Sequence, residues 1–99
     1  QHLFTDTLAY IAEHYSYSPS AFTNGSVENP AGQNEGSCKT LGFAILEGLS
    51  QEESLLAFGE HYRAVREHPE GTDHANIRAL QVTGLAGVNF ERQPLSRRG

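Results

Sequence analysis

The spacing of apolar side chains predicts four helices along the chain. Over residues 3–15, large apolar side chains recur at intervals of four, three and four positions, which places them on one helical face. Residues 37–49 are apolar on nearly every side, as is typical of a buried central helix. The same periodicity continues over residues 50–67 and over residues 72–84. The chain is therefore predicted to be mainly helical.

Capping residues predict where these helices begin and end. Ser37 is the expected N-cap of the second helix, and Gly48 is expected to end it. Ser50 and Glu53 have the spacing of a capping box that opens the third helix. Pro69 should stop that helix, because proline disfavours helical conformation in the residue before it.

The last third of the chain carries weaker signals. Thr72 or Asp73 can cap the fourth helix, and Gly84 is expected to end it. Residues 87–91 alternate weakly between apolar and polar side chains, which predicts one short strand.

Residues 16–36 are rich in proline, glycine and asparagine, which form turns. We expect an ordered surface loop anchored by Phe22, although residues 20–23 could form a short strand that ends at the turn of Asn24 and Gly25. The expected fold is therefore mainly α (α+β). It has about four packed helices, a long ordered loop and at most a small two-stranded sheet.

Composition narrows the possible partners. The chain of 99 residues has room for one domain and carries a net charge of −5 with neutral histidines. An acidic chain is repelled by phosphate backbones and anionic lipid, so we expect neither nucleic acid nor a membrane as partner. The one basic cluster, Arg92, Arg97 and Arg98, is expected to be solvated surface. A single cysteine excludes an intrachain disulfide.

Cys38 is a candidate nucleophile, because the first turn of a helix favours the thiolate. Histidines are available elsewhere in the chain as partners. Cys38 also lies on the apolar face with Leu41 and Ile45, where a small buried thiol is the commoner outcome. Both alternatives stay open, with the buried thiol favoured.

A glycine-rich run, GQNEGSCKT, occupies residues 32–40. It does not match a phosphate-binding P-loop, which needs glycine directly before the lysine, where Cys38 stands. What remains is a turn that leads into a helix N-terminus beside Lys39. Such an end can hold a small anion or carboxylate through its free N–H groups. The alternative is a plain capped helix start.

Three histidines and an aspartate lie close together in sequence, at His61, His68, Asp73 and His74. Their spacing matches no standard metal signature. His68 flanks a proline turn and His74 lies in a first helical turn, so both suit polar surface or capping roles. We therefore expect no bound metal and no cofactor.

Four polar blocks stand out in the chain. They are residues 21–25 (AFTNG), 31–39 (AGQNEGSCK), 58–63 (FGEHYR) and 68–78 (HPEGTDHANIR). In order and spacing they resemble the HopJ type III effector protein family. The similarity extends over about residues 3–95, so we expect one HopJ-like domain over residues 1–95 and a peripheral tail over residues 96–99.

The resemblance implies a small bacterial protein of unestablished activity, to which no catalytic residues can be transferred. The family name comes from proteins that plant-pathogenic bacteria deliver into host cells through a type III secretion system. The resemblance therefore implies a location in the bacterial cytoplasm or secretion into a host cell. If the protein is secreted, a host protein is the implied partner.

The polar character of these blocks indicates either a binding site or a demanding hydrogen-bond network. We favour a non-enzymatic interaction or effector-like protein. The alternative is a small-molecule-binding domain or enzyme with a polar cleft between the 16–37 loop and residues 68–78. Arg78 is expected to hold that loop through its carbonyls or through Glu35 or Glu60. The candidate ligand-binding residues are Asn24, Gln33, Asn34, Cys38, His61, Asp73, His74 and Arg78.

Overall fold

Helices dominate the computed structural model, which describes residues 2–98. The helices are α1 (Phe4–His14), α2 (Glu35–Glu47), α3 (Gln51–Leu56), α4 (Glu60–Glu67) and α5 (Ala75–Thr83), followed by a 3-10 turn (Leu85–Gly87). The strands are β1 (Tyr15–Tyr17), β2 (Phe22–Asn24), β3 (Val27–Asn29), β4 (Val88–Phe90) and β5 (Leu95–Arg97). The predicted mainly α class is confirmed.

The segment predicted as a long loop is more regular than expected. Strands β2 and β3 form a hairpin, and β4 pairs with the other edge of β2 in a three-stranded antiparallel sheet. Asn24 lies opposite Val27, so Gly25 and Ser26 form a two-residue turn, and the φ of +59° at Gly25 suits glycine. Three-residue strands are too short to show alternation in a sequence, which is why the sheet exceeds the predicted two strands.

A second, two-stranded sheet joins the two ends of the chain. Strand β1 pairs antiparallel with β5, and Tyr15 lies opposite Arg97. Ser96 and Arg97 therefore lie in a strand, although they belong to the segment predicted as a peripheral tail. Arg97 Nη2 also forms an ion pair with Glu47 Oε2 at 3.0 Å. The division at residue 95 stays a prediction.

The predicted third helix is interrupted at Gly59, which separates α3 from α4. The capping box of Ser50 and Glu53 is confirmed at its start. Gly59 has φ +59°, and a Cβ there would lie 2.5 Å from the backbone nitrogen of Phe4. The close approach of α1 therefore requires glycine and breaks the helix.

The N-caps of α2 and α5 differ from the predicted ones. Helix α2 begins two residues before Ser37, after Asn34, and α5 begins after His74 rather than after Thr72 or Asp73. Asn34 and His74 each have φ +53° and are the two non-glycine residues with positive φ within residues 2–98. The chain thus enters both helices through a left-handed residue rather than an extended Ser or Thr cap. The predicted helix ends at Gly48 and Gly84 are confirmed.

The main core lies between the three-stranded sheet and the helices α2 to α5. Phe22 of β2, Leu41 of α2 and Leu80 of α5 are at most 3% exposed, and Phe58 packs beside them. A smaller cluster around Ile11 fixes α1 against the β1–β5 sheet. No helix within residues 2–98 is both long and apolar enough to cross a membrane.

Candidate functional site

A cavity of about 390 Å³ lies where the helices α2 and α5 begin, beside the hairpin and the start of α1. We call it the polar cleft. It is lined by Phe4, Val27, Asn34, Gly36, Ser37, Phe58, His61, His74, Ala75, Asn76 and Ile77. Its size lies within the range of small-ligand sites, which is about 300–1,000 Å³.

A network of four asparagine side chains, three of them buried, fixes one wall of the polar cleft. Asn29 and Asn76 exchange two amide hydrogen bonds: Asn29 Nδ2 donates to Asn76 Oδ1 at 3.2 Å, and Asn76 Nδ2 donates to Asn29 Oδ1 at 2.9 Å. Asn34 Nδ2 donates to Asn29 Oδ1 at 2.7 Å. Asn24 Nδ2 donates to the backbone oxygen of Asn76 at 2.8 Å and to its Oδ1 at 3.1 Å. The network therefore joins the hairpin to the first turns of α2 and α5.

This network changes the interpretation of two candidate residues. Asn24 is fully buried and lies behind the cleft rather than in its lining, so its visible role is to hold α5 against β2. Asn34 lines the cleft, yet its amide donates to Asn29 and is not used to cap its own helix. Residues that were candidates for a binding site thus also belong to a structural hydrogen-bond network.

The N-termini of α2 and α5 make the electrostatic potential in the polar cleft more positive. The first turn of a helix has N–H groups without intrahelical acceptors and carries the positive end of the helix dipole. Gly36 and Ser37 from α2, together with Ala75 and Asn76 from α5, bring two such ends to one cavity. Within residues 2–98, neither cap side chain accepts a hydrogen bond from its own helix.

Two histidines meet at the mouth of the cleft. The His61 and His74 rings lie 5.0 Å apart between centroids, and their planes are tilted by 38°. The edge of Phe4 contacts His61 at 5.2 Å, and Phe4 stacks on Phe58 at 5.6 Å. About a third of each imidazole is exposed, at 39% for His61 and 32% for His74. Both rings are thus positioned by packing and accessible to a ligand.

Three carboxylates near the cleft are each held by a donor of their own. Glu60 Oε1 accepts from the backbone N–H of Phe4 at 2.7 Å, and that bond lowers the pKa of Glu60. Asp73 Oδ1 accepts from Arg78 Nη2 at 2.6 Å, and that bond lowers the pKa of Asp73. Glu35 accepts from the Tyr17 hydroxyl at 3.1 Å. The helix N–H groups therefore remain free for a ligand. Each imidazole has a carboxylate beside it: His61 Nε2 lies 3.8 Å from Glu60 Oε2, and His74 Nε2 lies 3.9 Å from Asp73 Oδ2.

The Arg78 partners differ from the predicted ones. Its guanidinium donates to the backbone oxygens of Asp73 at 2.5 Å and Pro69 at 3.1 Å, as well as to the Asp73 carboxylate. It therefore holds the 69–73 turn, and the expectation that it holds the hairpin segment, Glu35 or Glu60 was wrong. Helix geometry explains the difference, because Arg78 lies one turn inside α5 and its side chain reaches back along that helix.

Cys38 lies in the core rather than in the cleft. It is 1% exposed, and its Sγ donates to the backbone oxygen of Ser20 at 3.7 Å. Burial raises the pKa of the Cys38 thiol, which disfavours the nucleophilic thiolate. Gln33 is exposed in the turn before α2 and also lies outside the cleft lining.

The structure thus brings Asn34, His61 and His74 together and leaves the other five candidates outside the cleft lining. Within residues 2–98, no group of three or more His, Cys, Asp or Glu side chains is arranged to hold a metal ion. Sequence reasoning missed Phe4 and Asn76. Asn76 belongs to the polar 68–78 block, which was the available signal, whereas Phe4 reads as an ordinary core residue of α1.

Comparison with known proteins identifies the family. The profile of the HopJ type III effector protein matches residues 1–95, so the chain belongs to this family. Its structure is similar to the crystal structure of a protein of unknown function, VPA0580, with 43% sequence identity and a TM-score of 0.96. That match covers 99% of this chain and 82% of the other. No curated protein matches the sequence.

Proposed function

We propose that this member of the HopJ type III effector protein family is a non-enzymatic interaction protein. It binds its partner by holding one anionic group, a carboxylate or a phosphate, in the polar cleft. Asn34, His61 and His74 are the predicted residues that form this site, together with Ser37 and Asn76. Family membership suggests an effector-like protein, for which a host protein is the partner.

One observation carries this proposal: two helix N-termini and two imidazoles converge on one cavity. N–H groups at a helix start and the helix dipole both favour an anion. Each imidazole also brings a ring N–H donor to the cavity, because even a neutral ring keeps one N–H group.

The surroundings of the cleft also favour a small anionic group over a polyanion. The protein has a net charge of −5, which repels extended phosphate backbones and anionic lipid surfaces. A single carboxylate or phosphate on a protein reaches the local donors without bringing further negative charge. The buried asparagine network supports this role, because it holds both helix starts in place before the ligand arrives.

Isothermal titration calorimetry with inorganic phosphate and with acetate tests the proposal. We expect one saturable binding site for each anion, because two helix starts and two imidazole rings lie at the same cavity. The double variant His61→Gln, His74→Asn should bind at least tenfold more weakly. Asn is chosen at position 74 because it tolerates the left-handed backbone.

His68→Gln is the matched control, since His68 is exposed and lies outside the cleft lining. Equal binding by the double variant and this control contradicts the proposal. Absence of saturable binding by both anions in the wild-type protein also contradicts it.

A second candidate, an enzyme that uses the same cleft, is favoured by the contact between His61 and His74. Two adjacent imidazoles could act as general acid and base. Hydrolysis of p-nitrophenyl acetate or p-nitrophenyl phosphate, lost in the double variant and kept in His68→Gln, would favour this candidate over simple binding.

A further inference from the structure

A second and larger cavity of about 740 Å³ lies on another side of α4, between α1, α3, α4 and the end of α2. We call it the apolar groove. Its lining includes the side chains of Tyr10, Phe43, Leu49, Leu56 and Tyr62. Tyr10 is 50% exposed and Leu56 is 51% exposed, so large apolar surfaces face solvent there. Apolar lining of this size is typical of small-molecule sites, which span about 300–1,000 Å³.

Positive charge lies along one wall of the groove. Arg63 and Arg66 are three residues apart on α4, and both belong to the lining. Arg63 Nη1 donates to the backbone oxygen of His2 at 3.0 Å, and the Arg66 guanidinium lies 5.5 Å from the centre of the Tyr62 ring. Within residues 2–98, neither arginine forms an ion pair, even with the nearby Glu67.

The two carboxylates of the groove lining are already engaged. Asp6 Oδ2 accepts from the backbone N–H of Leu3 at 3.1 Å, and Glu53 Oε1 accepts from the backbone N–H of Ser50 at 2.8 Å. Both therefore serve the starts of their own helices. Each carboxylate keeps its negative charge, because a backbone N–H does not neutralise it. Within residues 2–98, however, neither carboxylate lies within ion-pair distance of Arg63 or Arg66, so the positive charge on the α4 wall stays unpaired.

We propose that the apolar groove binds a small amphiphile that has an apolar body and one anionic head group, such as a medium-chain carboxylate. The body packs against Phe43 and Leu56, and the head group pairs with Arg66. Three features support this ligand class: the apolar lining, the unpaired cations on one wall and a volume suited to a small molecule rather than to a whole helix. The inference does not depend on the polar cleft.

Calorimetric titration with decanoate, below the concentration at which it forms micelles, tests this proposal. We expect saturable binding of one molecule per chain when inorganic phosphate already saturates the polar cleft, which would otherwise bind the decanoate carboxylate as well. Decanol has the same body without the charge and should bind about tenfold more weakly, as expected for the loss of one charge-assisted contact. Acetate has the charge without the body, and its binding should be unaffected by changes in the groove.

Variants locate the site. Arg66→Gln should weaken decanoate binding about tenfold, leave decanol binding unchanged and leave phosphate binding in the polar cleft unchanged. Leu56→Glu should abolish decanoate binding, because it places a carboxylate in the apolar lining. Val82→Glu is the matched control, since Val82 is an exposed apolar residue of α5, at 83% exposure, outside the groove.

Three results would each overturn the proposal: no saturable binding of decanoate, equal affinity for decanol and decanoate, or the same loss in Val82→Glu as in Leu56→Glu. Circular dichroism of each variant separates loss of binding from loss of folding. Leu56 and Val82 are both exposed, so both variants are expected to fold.

Discussion

Different interactions form the polar cleft and the apolar groove, although α4 contributes residues to both. The cleft depends on polar groups that are fixed by one another, with buried asparagines holding two helix starts. The groove depends on apolar side chains from separate helices that the core leaves partly exposed. Hydrogen bonds therefore order the cleft, whereas the packing of the helices forms the groove. Changes that affect one region should therefore leave the other intact, except at a residue that positions parts of both.

Gly59 affects both regions although it lines only the groove, and Gly59→Ala should have the largest effect. Gly59 lines the groove, and the helix that begins after it carries His61 into the cleft. A Cβ would lie 2.5 Å from the Phe4 backbone nitrogen, so either α1 or α4 must move. We expect a loss of about 3–5 kcal/mol in the free energy of unfolding, measured by chemical denaturation.

Gly48→Ala is the control for backbone strain alone. Gly48 also has positive φ, at +69°, but no atom lies within 4 Å of its added Cβ. That variant should lose only about 1–2 kcal/mol. Equal denaturation midpoints for the two variants would contradict the close approach at Gly59.

Asn76→Ala should separate the two regions most clearly. It removes the two amide bonds to Asn29 and one from Asn24, and it leaves buried donors unpaired. We expect a loss of about 2–3 kcal/mol in the free energy of unfolding, together with weaker phosphate binding. Decanoate binding in the groove should be unchanged.

The exposed Asn89 of β4 offers the matched control. Asn89→Ala should change stability by no more than about 0.5 kcal/mol. If Asn76→Ala behaved in the same way, the buried network would not organise the cleft.

Arg78 lines neither the cleft nor the groove, so Arg78→Ala should affect stability without affecting either cavity. The variant removes the guanidinium that binds two backbone oxygens and Asp73, so the 69–73 turn loosens. We expect a loss of about 1–2 kcal/mol in the free energy of unfolding, with phosphate and decanoate binding unchanged. Arg92→Ala, at an exposed position, is a better control than Arg97→Ala, because Arg97 pairs with Glu47. A loss of phosphate binding in Arg78→Ala would contradict this prediction and would make Arg78 part of the anion site in the polar cleft.

A smaller effect is expected from pH at the junction of α1 and α4. The hydrogen bond from the Phe4 N–H lowers the pKa of Glu60 below its ordinary value of 4.5. The stability that ionised Glu60 contributes is therefore complete above about pH 4.5 and is lost as the pH falls through the lowered pKa. Denaturation midpoints measured on both sides of that range should fall more in the wild-type protein than in Glu60→Gln. Glu52→Gln, on the exposed face of α3, should fall as the wild type does; a fall equal to that of Glu60→Gln would contradict this role.

Local signals in the sequence predicted the parts of the fold that depend on neighbouring residues. Gly48 and Gly84 end their helices as expected, and the box of Ser50 and Glu53 forms, because each of these roles is settled within one helical turn. Asn34 and His74 were chosen as candidate site residues, but their roles as left-handed caps could not be predicted. Each of the two side chains contacts a residue of another element, Asn29 of β3 for Asn34 and His61 of α4 for His74, and such contacts carry no local signal.

Features that depend on contacts between residues far apart in the sequence could not be predicted. The break at Gly59 depends on Phe4, and the second pairing of β2 depends on β4 near the other end of the chain. The apolar groove left no signal, because an exposed Leu56 or Tyr10 reads as an ordinary helical residue until the helices are assembled. The polar blocks were the useful guide, since they contain most of the cleft.

An NMR titration of the amide groups with inorganic phosphate tests most directly whether the polar cleft holds an anion. The expected result is saturable shifts concentrated in the first turns of α2 and α5, at Gly36, Ser37, Ala75 and Asn76. These shifts should be lost in the double variant His61→Gln, His74→Asn and kept in His68→Gln. Shifts that do not saturate, that lie elsewhere on the protein, or that persist in the double variant would contradict an anion site in the polar cleft.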